Sequence, residues 1–330
     1  MTRIESLQPT APNWGRVPPV RVTGTPLLRG AVLHVPTDAG ELRLTLHEDG
    51  LRLRSASDTR DYGILCGEAP PLPLRVTAGE GETRVEARAA AGDTLELRIG
   101  HDPWHFELRR GARRVQGSPS DGHFVRRFRL PPLVRLDGGW LLTLDLGPDT
   151  PVYGLGEKSG RLDKRGQLLR SYNRDALGLN AEWSYKNAPF AWSPEGWGVF
   201  VHTGAPVTHG VGYGPWSQRS YALIVEDDAL DVFLFTGEGG AAQLAQYTAR
   251  TGRAPVPPEW SLGVILSKAY YKDSAEILAV AREVRARGMP CEVITFDGRA
   301  WQDTDTRFAF EWCPKRYADP RPTIDALRAM

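Results

Sequence analysis

Cysteine is scarce in this 330-residue chain. Cys66, Cys291 and Cys313 are far apart, odd in number and without a C-x-x-C pairing. Neither a disulfide framework nor a zinc site is indicated, and a reducing cytoplasm is the expected setting. A dominant charge is also lacking: 41 basic and 40 acidic residues leave a net charge of +1. A nucleic-acid surface needs a lopsided basic patch, so this balance argues against one and fits a neutral substrate better. No apolar run is long enough to span a bilayer, and the N-terminal MTRIESLQPTAPNWGR has no apolar h-region. Neither membrane embedding nor secretion is expected. The common local signatures of other enzyme classes are missing too: there is no Walker lysine, no H-E-x-x-H and no G-x-S-x-G, and Gly154-x-Gly156 lacks a third glycine at dinucleotide spacing. The seven histidines are scattered; His101 and His105 have ligand-like spacing, but on a strand-turn segment they need not share a face.

What is present is alternation. From about Val32 to Thr143 apolar residues recur at every second position, as in Leu42, Leu44 and Leu46, then Leu51 and Leu53, and again Leu95, Leu97 and Ile99 before Trp104, Phe106 and Leu108. Half-buried antiparallel strands are the simplest reading. Turns at 47–50, 78–81, 91–93 and 110–112 separate the runs at short intervals, as in a sandwich. Pro151 to Phe235 keeps short strands with long loops and reads as the same domain.

Three prolines within Pro255-Val256-Pro257-Pro258 exclude helix and central strand and mark a boundary. Beyond it Leu262 to Leu266 reads as a strand buried on both faces, and Asp273 with Glu276 as a helix-capping box. Ile277, Ala281 and Val284 share one helix face, Gly288 and Pro290 supply the stop, and Cys291 to Phe296 forms a second strand ending on Asp297. This β-α-β unit opens a (β/α)₈ barrel, whose working groups sit at the C-terminal ends of its strands. The expected fold is therefore a β-sandwich N-terminal domain over 1–253, a proline-rich linker over 254–260, and the start of a (β/α)₈ TIM barrel over 261–330. The barrel is expected to be truncated at Met330, with its open edge an aggregation hazard.

Ten tryptophans are present, seven of them after residue 180, and rings beside Asp, Arg and Asn suit a sugar, whose C–H faces pack on aromatics. The competing reading, favoured for any single tryptophan, is a core side chain. Asn173, Arg174 and Asp175 in SYNRDALGLN lie between YGLGE (Tyr153 to Glu157) and YKNAPF (Tyr185 to Phe190). From the residues alone this is an exposed turn with an Asx-type bond.

Those three motifs, with GWGVFVH at Gly196 to His202, PPEWSLG at Pro257 to Gly263, VITFDGRAW at Val293 to Trp301 and FEWCPKRYADP at Phe310 to Pro320, together resemble glycoside hydrolase family 31. The ordered series runs from about residue 150 to the end. The resemblance implies a retaining α-glycosidase, an α-glucosidase in the first place, acting on an oligosaccharide or α-glucoside without metal or organic cofactor. Asp175 matches the aspartate that binds hydroxyls of the sugar in the −1 subsite, and Asp297 matches the one that contacts the same sugar from the second barrel strand. Arg299 and Trp301 follow in the same segment. After the binding aspartate some relatives carry Ile-Asp and others Cys-Phe, whereas this chain has Gly298-Arg299; the Arg299 fork could reach a sugar or pair with Asp297. The nucleophile and the acid/base, two carboxyl groups about 5 Å apart in retaining enzymes, match no residue of this chain and are expected beyond Met330. The chain alone is therefore expected to be inactive, with the remainder of the barrel as its partner. Three alternatives stay open: a carbohydrate-binding module, a non-functional product of an interrupted gene, and an α-xylosidase or transglycosidase.

Overall fold

A computed structural model describes residues 17–55, 61–67, 69–119, 130–175, 183–268, 271–296 and 311–330. The chain forms two compact units, Met1–Arg253 and Ala254–Met330.

The first unit opens with β1 (Leu27–Arg29), β2 (Val32–Thr37), β3 (Gly40–His47) and β4 (Gly50–Ser55), which pair in succession. A five-stranded meander follows: β5 (Arg75–Ala78), β6 (Glu82–Arg88), β7 (Thr94–His101), β8 (Trp104–Arg110) and β9 (Arg113–Gly117). The chain then continues through β10 (Leu133–Leu136), β11 (Gly139–Asp145), β12 (Tyr153–Gly156), β13 (Gln167–Ser171), β14 (Asn187–Ser193), β15 (Trp197–Val201), β16 (Val207–Val211), β17 (Ser220–Val225) and β18 (Asp231–Phe235). These divide between an eight-stranded sheet, β1-β2-β3-β4-β18-β15-β14-β12, and a second five-stranded sheet, β10-β11-β17-β16-β13. The three sheets are antiparallel and contribute to one apolar core, with Leu44 and Leu53 from the first, Leu97 and Phe106 from the meander, and Leu142 and Leu223 from the third. This is the expected sandwich.

Alternation decides which side chains enter that core. On β18, Val232 and Leu234 face it, while Phe233 and Phe235 join Phe190 and Phe200 on the opposite face. Both faces of the central strands are thus covered, and β15, β17 and β18 are buried along their whole length. Tyr247, stacked on Phe190 at 4.2 Å between ring centroids, brings α1 (Gly239–Thr251) onto this outer face. The helix carries no periodic apolar signal strong enough to read from sequence, because the positions it buries are Gln243 and Arg250. Arg250 pairs with Asp49 in the β3–β4 turn (Nη2···Oδ1 2.5 Å, Nε···Oδ2 2.7 Å). Gly50 closes that turn at φ +142, and a Cβ there would lie 1.9 Å from the Leu234 carbonyl oxygen. Only glycine lets β4 approach β18 so closely.

In the second unit β19 (Ile265–Lys268) pairs in parallel with β20 (Val293–Phe296) across the crossover helix α2 (Ser274–Ala286), and α3 (Arg321–Arg328) follows. The Asp273 side chain accepts from Glu276 N at 2.9 Å, and Glu276 reaches back to Lys272 N at 2.6 Å, one residue before the cap. Ile277 packs with Tyr271, Cys313 and Tyr317. The expected first strand is displaced: Leu262 lies in a 3₁₀ turn and is 77% exposed, and the strand begins only at Ile265. A strand shielded on both faces needs a neighbour on each side and helices above and below. Among the described residues β19 has one neighbour. Among those residues no helix is long and apolar enough to cross a membrane.

Candidate functional site

Three motifs lying within residues 153–190 meet beyond the end of β13. Residues 172–175 leave this strand, and residues 183–187 return to begin β14; a single parallel bridge, Asn173 with Ser184, links the two passes. Arg174 N donates to Ser184 O at 3.2 Å. The Asn173 side-chain oxygen accepts from Asn187 N (2.9 Å) and Asn187 Nδ2 (3.0 Å). Asn187 Nδ2 also lies 3.0 Å from both Tyr172 O and Ser184 O. At the tip, the Tyr185 hydroxyl donates to Asp175 Oδ1. Among the described residues the second oxygen of Asp175 has no protein donor.

Three exposed aromatic residues belong to the same two chain passes. Tyr172, Trp183 and Tyr185 are 40%, 42% and 52% exposed, which is unusual for large rings in a unit whose Trp104, Trp140 and Trp197 are core residues. The Arg174 guanidinium lies 5.8 Å from the Tyr172 ring centroid and 5.5 Å from that of Trp183. A carboxyl group accepting a hydrogen bond, a planar cation and exposed rings form a surface that can hold a polyhydroxylated ligand.

The third motif supports the other two from below. β12 pairs with β14, with a register shift between Gly154 and Gly156, and Glu157 N donates to Lys186 O at 2.7 Å. Gly156 has φ +73, and a Cβ there would lie 2.3 Å from Lys186 O and 2.6 Å from Ala188 N. Gly156→Val is therefore expected to destabilise the sandwich by about 2 kcal/mol or more, measured by urea unfolding; a loss below about 0.5 kcal/mol would show that β12 and β14 do not need this approach. Lys158 Nζ donates to Arg170 O at 2.5 Å and to Asn187 Oδ1. Burial, reinforced by Lys164, pushes the Lys158 ammonium down to about 8. Deeper still, His209 is hydrogen-bonded to Tyr221 Oη (2.8 Å) and Ser171 Oγ (3.0 Å), and burial, with Lys158 nearby, pushes its imidazole down to about 3.

Of the site residues expected from sequence, Asp175 lies in this cluster. Asp297, Arg299 and Trp301 lie outside the described residues. Tyr185, Asn187 and Lys158 were not singled out from sequence as contributors, although YKNAPF contains the first two and Lys158 directly follows YGLGE. The missing signal is spatial: nothing in the sequence says that Asn187 reaches back across to Asn173. Among the described residues no group of three or more His, Cys, Asp and Glu side chains could hold a metal ion.

Comparison with known proteins gives this arrangement its context. Residues 41–209, just over half of the chain, match the glycosyl hydrolase 31 N-terminal galactose mutarotase-like domain, and residues 254–330 match the glycosyl hydrolases family 31 TIM-barrel domain. The chain is 31% identical over 186 residues to alpha-xylosidase XylQ of Lactiplantibacillus pentosus, covering 56% of this chain and 24% of XylQ. It is 31% identical over 157 residues to alpha-glucosidase 2 of Bacillus thermoamyloliquefaciens, covering 44% of this chain and 19% of that protein. Its fold is similar to that of the Flavobacterium johnsoniae GH31 dextranase FjDex31A, solved with glucose, at a TM-score of 0.77 and 18% identity over 94% of this chain and 37% of the dextranase. The chain thus spans a fifth to two fifths of the length of these relatives. With both of its units matched by domains of one family, the chain belongs to glycoside hydrolase family 31.

Proposed function

We propose that this chain is the N-terminal part of a retaining α-glycosidase, in the first reading an α-glucosidase, and that its 172–187 cluster contributes to the sugar site. The observation that carries this is Asp175, whose carboxylate is held by the exposed Tyr185 and whose second oxygen has no donor among the described residues. In this reading Asp175 accepts hydrogen bonds from sugar hydroxyls in the −1 subsite, and Asp297, Arg299 and Trp301 are further substrate-binding residues, as the family resemblance implies. Residues 1–253 form the sandwich domain, 254–260 the linker and 261–330 the beginning of the catalytic barrel. The low cysteine content, three in 330 residues, fits a reducing compartment.

Hydrolysis with retention needs a nucleophile and an acid that later acts as base, about 5 Å apart across the glycosidic bond. No residue here is assigned to either role; both would come from the remainder of the barrel, the partner this reading requires. The 330-residue chain by itself is therefore expected to release no p-nitrophenol from p-nitrophenyl α-glucoside. Turnover above the uncatalysed rate would contradict that assignment.

A second reading, α-xylosidase, is favoured by the similarity to XylQ. The two substrates differ by the hydroxymethyl group on C5, and Gly298-Arg299 fits neither of the dipeptides expected there. Calorimetric titration with methyl α-glucoside and methyl α-xyloside separates them. With either sugar Asp175→Asn is expected to weaken binding about 10- to 100-fold, since hydrogen bonds to a charged group contribute about 1.5–3 kcal/mol. Equal affinity in the variant would remove Asp175 from the site.

A further inference from the structure

We propose that Lys158 and Asn187 are positioning residues that set the Asn173–Asp175 turn, with Lys158 acting through the Asn187 carboxamide. Among the described residues little else holds the turn. β13 pairs with β16, and β14 pairs with β12 and β15, so among the described residues no ladder joins 172–175 to 183–187 beyond the Asn173–Ser184 bridge. Asn187 makes the connection instead. Its Nδ2 faces three oxygens at 3.0 Å: Tyr172 O, Asn173 Oδ1 and Ser184 O. Rotating that carboxamide by half a turn would point its own oxygen at all three, leaving acceptors against acceptors.

Lys158 selects the productive orientation. Its Nζ is a donor only, and it is aimed at Asn187 Oδ1, where an NH₂ group would be repelled. Its other acceptor is Arg170 O, at the end of the strand from which the turn departs. One ammonium therefore ties the root of the turn to the residue that clamps its middle. Among the described residues no carboxylate forms an ion pair with Lys158, and Lys164 adds like charge. A half-buried cation is costly to keep without a counter-ion. A residue that served only to fill space there would be better as methionine.

The effect on the turn is independent of what the chain binds; its consequence for sugar affinity rests on the glycosidase reading. Amide hydrogen exchange separates the two. In Lys158→Met the Arg174 and Asn187 amides, which donate to Ser184 O and Asn173 Oδ1, are expected to exchange at least 10-fold faster, with Val199 and Leu223 in the central strands unchanged. Lys158→Arg keeps a donor and is expected to stay within about 2-fold of the parent. Asn187→Asp retains the acceptor for Lys158 and loses Nδ2, so it is expected to release the Arg174 amide in the same way; it carries the test if Lys158→Met does not fold. Unchanged exchange at Arg174 in folded Lys158→Met, or in Asn187→Asp, overturns the proposal. Faster exchange in a chain whose parent binds neither methyl α-glucoside nor methyl α-xyloside supports the clamp and contradicts the sugar reading alone.

Discussion

Asp231→Ala is expected to destabilise the sandwich unit by about 3–5 kcal/mol, the range for removing one partner of a buried ion pair. Asp231 sits on β18 with its side chain 3% exposed, and it accepts from Arg52 Nε at 2.9 Å, Arg52 Nη2 at 2.7 Å and His202 Nδ1 at 2.8 Å. Burial pushes its carboxyl up, but the hydrogen bonds from Arg52 and His202 more than offset this and leave it below the usual carboxylate range. Arg52 is itself 5% exposed, with its guanidinium 4.6 Å from the Phe233 ring centroid. Alanine would take away the carboxylate that accepts from both Nε and Nη2 of this buried guanidinium. The measurement is urea unfolding of the parent, of Asp231→Ala, and of the double variant Arg52→Met with Asp231→Leu. The double variant is expected to be more stable than Asp231→Ala, because it removes the charge together with its partner. A loss below 1 kcal/mol in Asp231→Ala would mean that water reaches this pair.

Acidification is expected to have an effect of similar size through His209. This imidazole is fully buried between Tyr221 and Ser171, with its pKa pushed down to about 3 by burial first and Lys158 second. An unfolded histidine takes up a proton near pH 6.5, whereas the folded one stays neutral to about pH 3. Between these values the unfolded state binds more protons, so stability is fully present above pH 6.5 and is lost as pH falls. The loss is expected to reach about 3 kcal/mol by pH 4.5 and on the order of 5 kcal/mol by pH 3. Burial lowers the His47 pKa as well and adds in the same direction. Unfolding free energies at pH 7, 5.5 and 4.5 test this, with His209→Gln expected to flatten most of the slope. A parent protein equally stable at pH 7 and 4.5 would contradict the burial of a neutral imidazole.

Much of the sandwich was legible because its strands have one wet face or a sharp turn. Leu42, Leu44 and Leu46 alternate into the β3–β4 turn, and the observed register pairs Leu44 with Leu53 and Leu46 with Leu51, as the alternation implies. What alternation cannot carry is partnership at long range. β4 pairs with β18, so that Arg52 meets Asp231 from 179 residues away, and no local pattern announces it. Helix α1 was illegible for a different reason: the positions it buries are Gln243 and Arg250, which read as solvent-facing. Leu262 to Leu266 misled in the opposite sense, since an apolar run becomes a doubly covered strand only where neighbours cover it.

The site divides in the same way. Asp175 could be named because a short polar motif containing it recurs in a family. Its support could not, because Lys158, Asn173 and Asn187 come together only when β12 pairs with β14 beneath the turn. Trp183 illustrates the limit. Its exposure beside Arg174 sets it apart from Trp197, which is buried in the core, though both fall in the same tryptophan-rich stretch.

The proposed function requires that a sugar docks at this turn. Backbone amide chemical shifts should be recorded while the chain is titrated with methyl α-glucoside, and again with methyl α-xyloside. Saturable shifts are expected to concentrate at Tyr172–Asp175 and Trp183–Asn187 and to be lost in Asp175→Asn. Saturable shifts elsewhere with these segments silent, or no shifts in the folded parent at sugar concentrations well into the millimolar range, would contradict it.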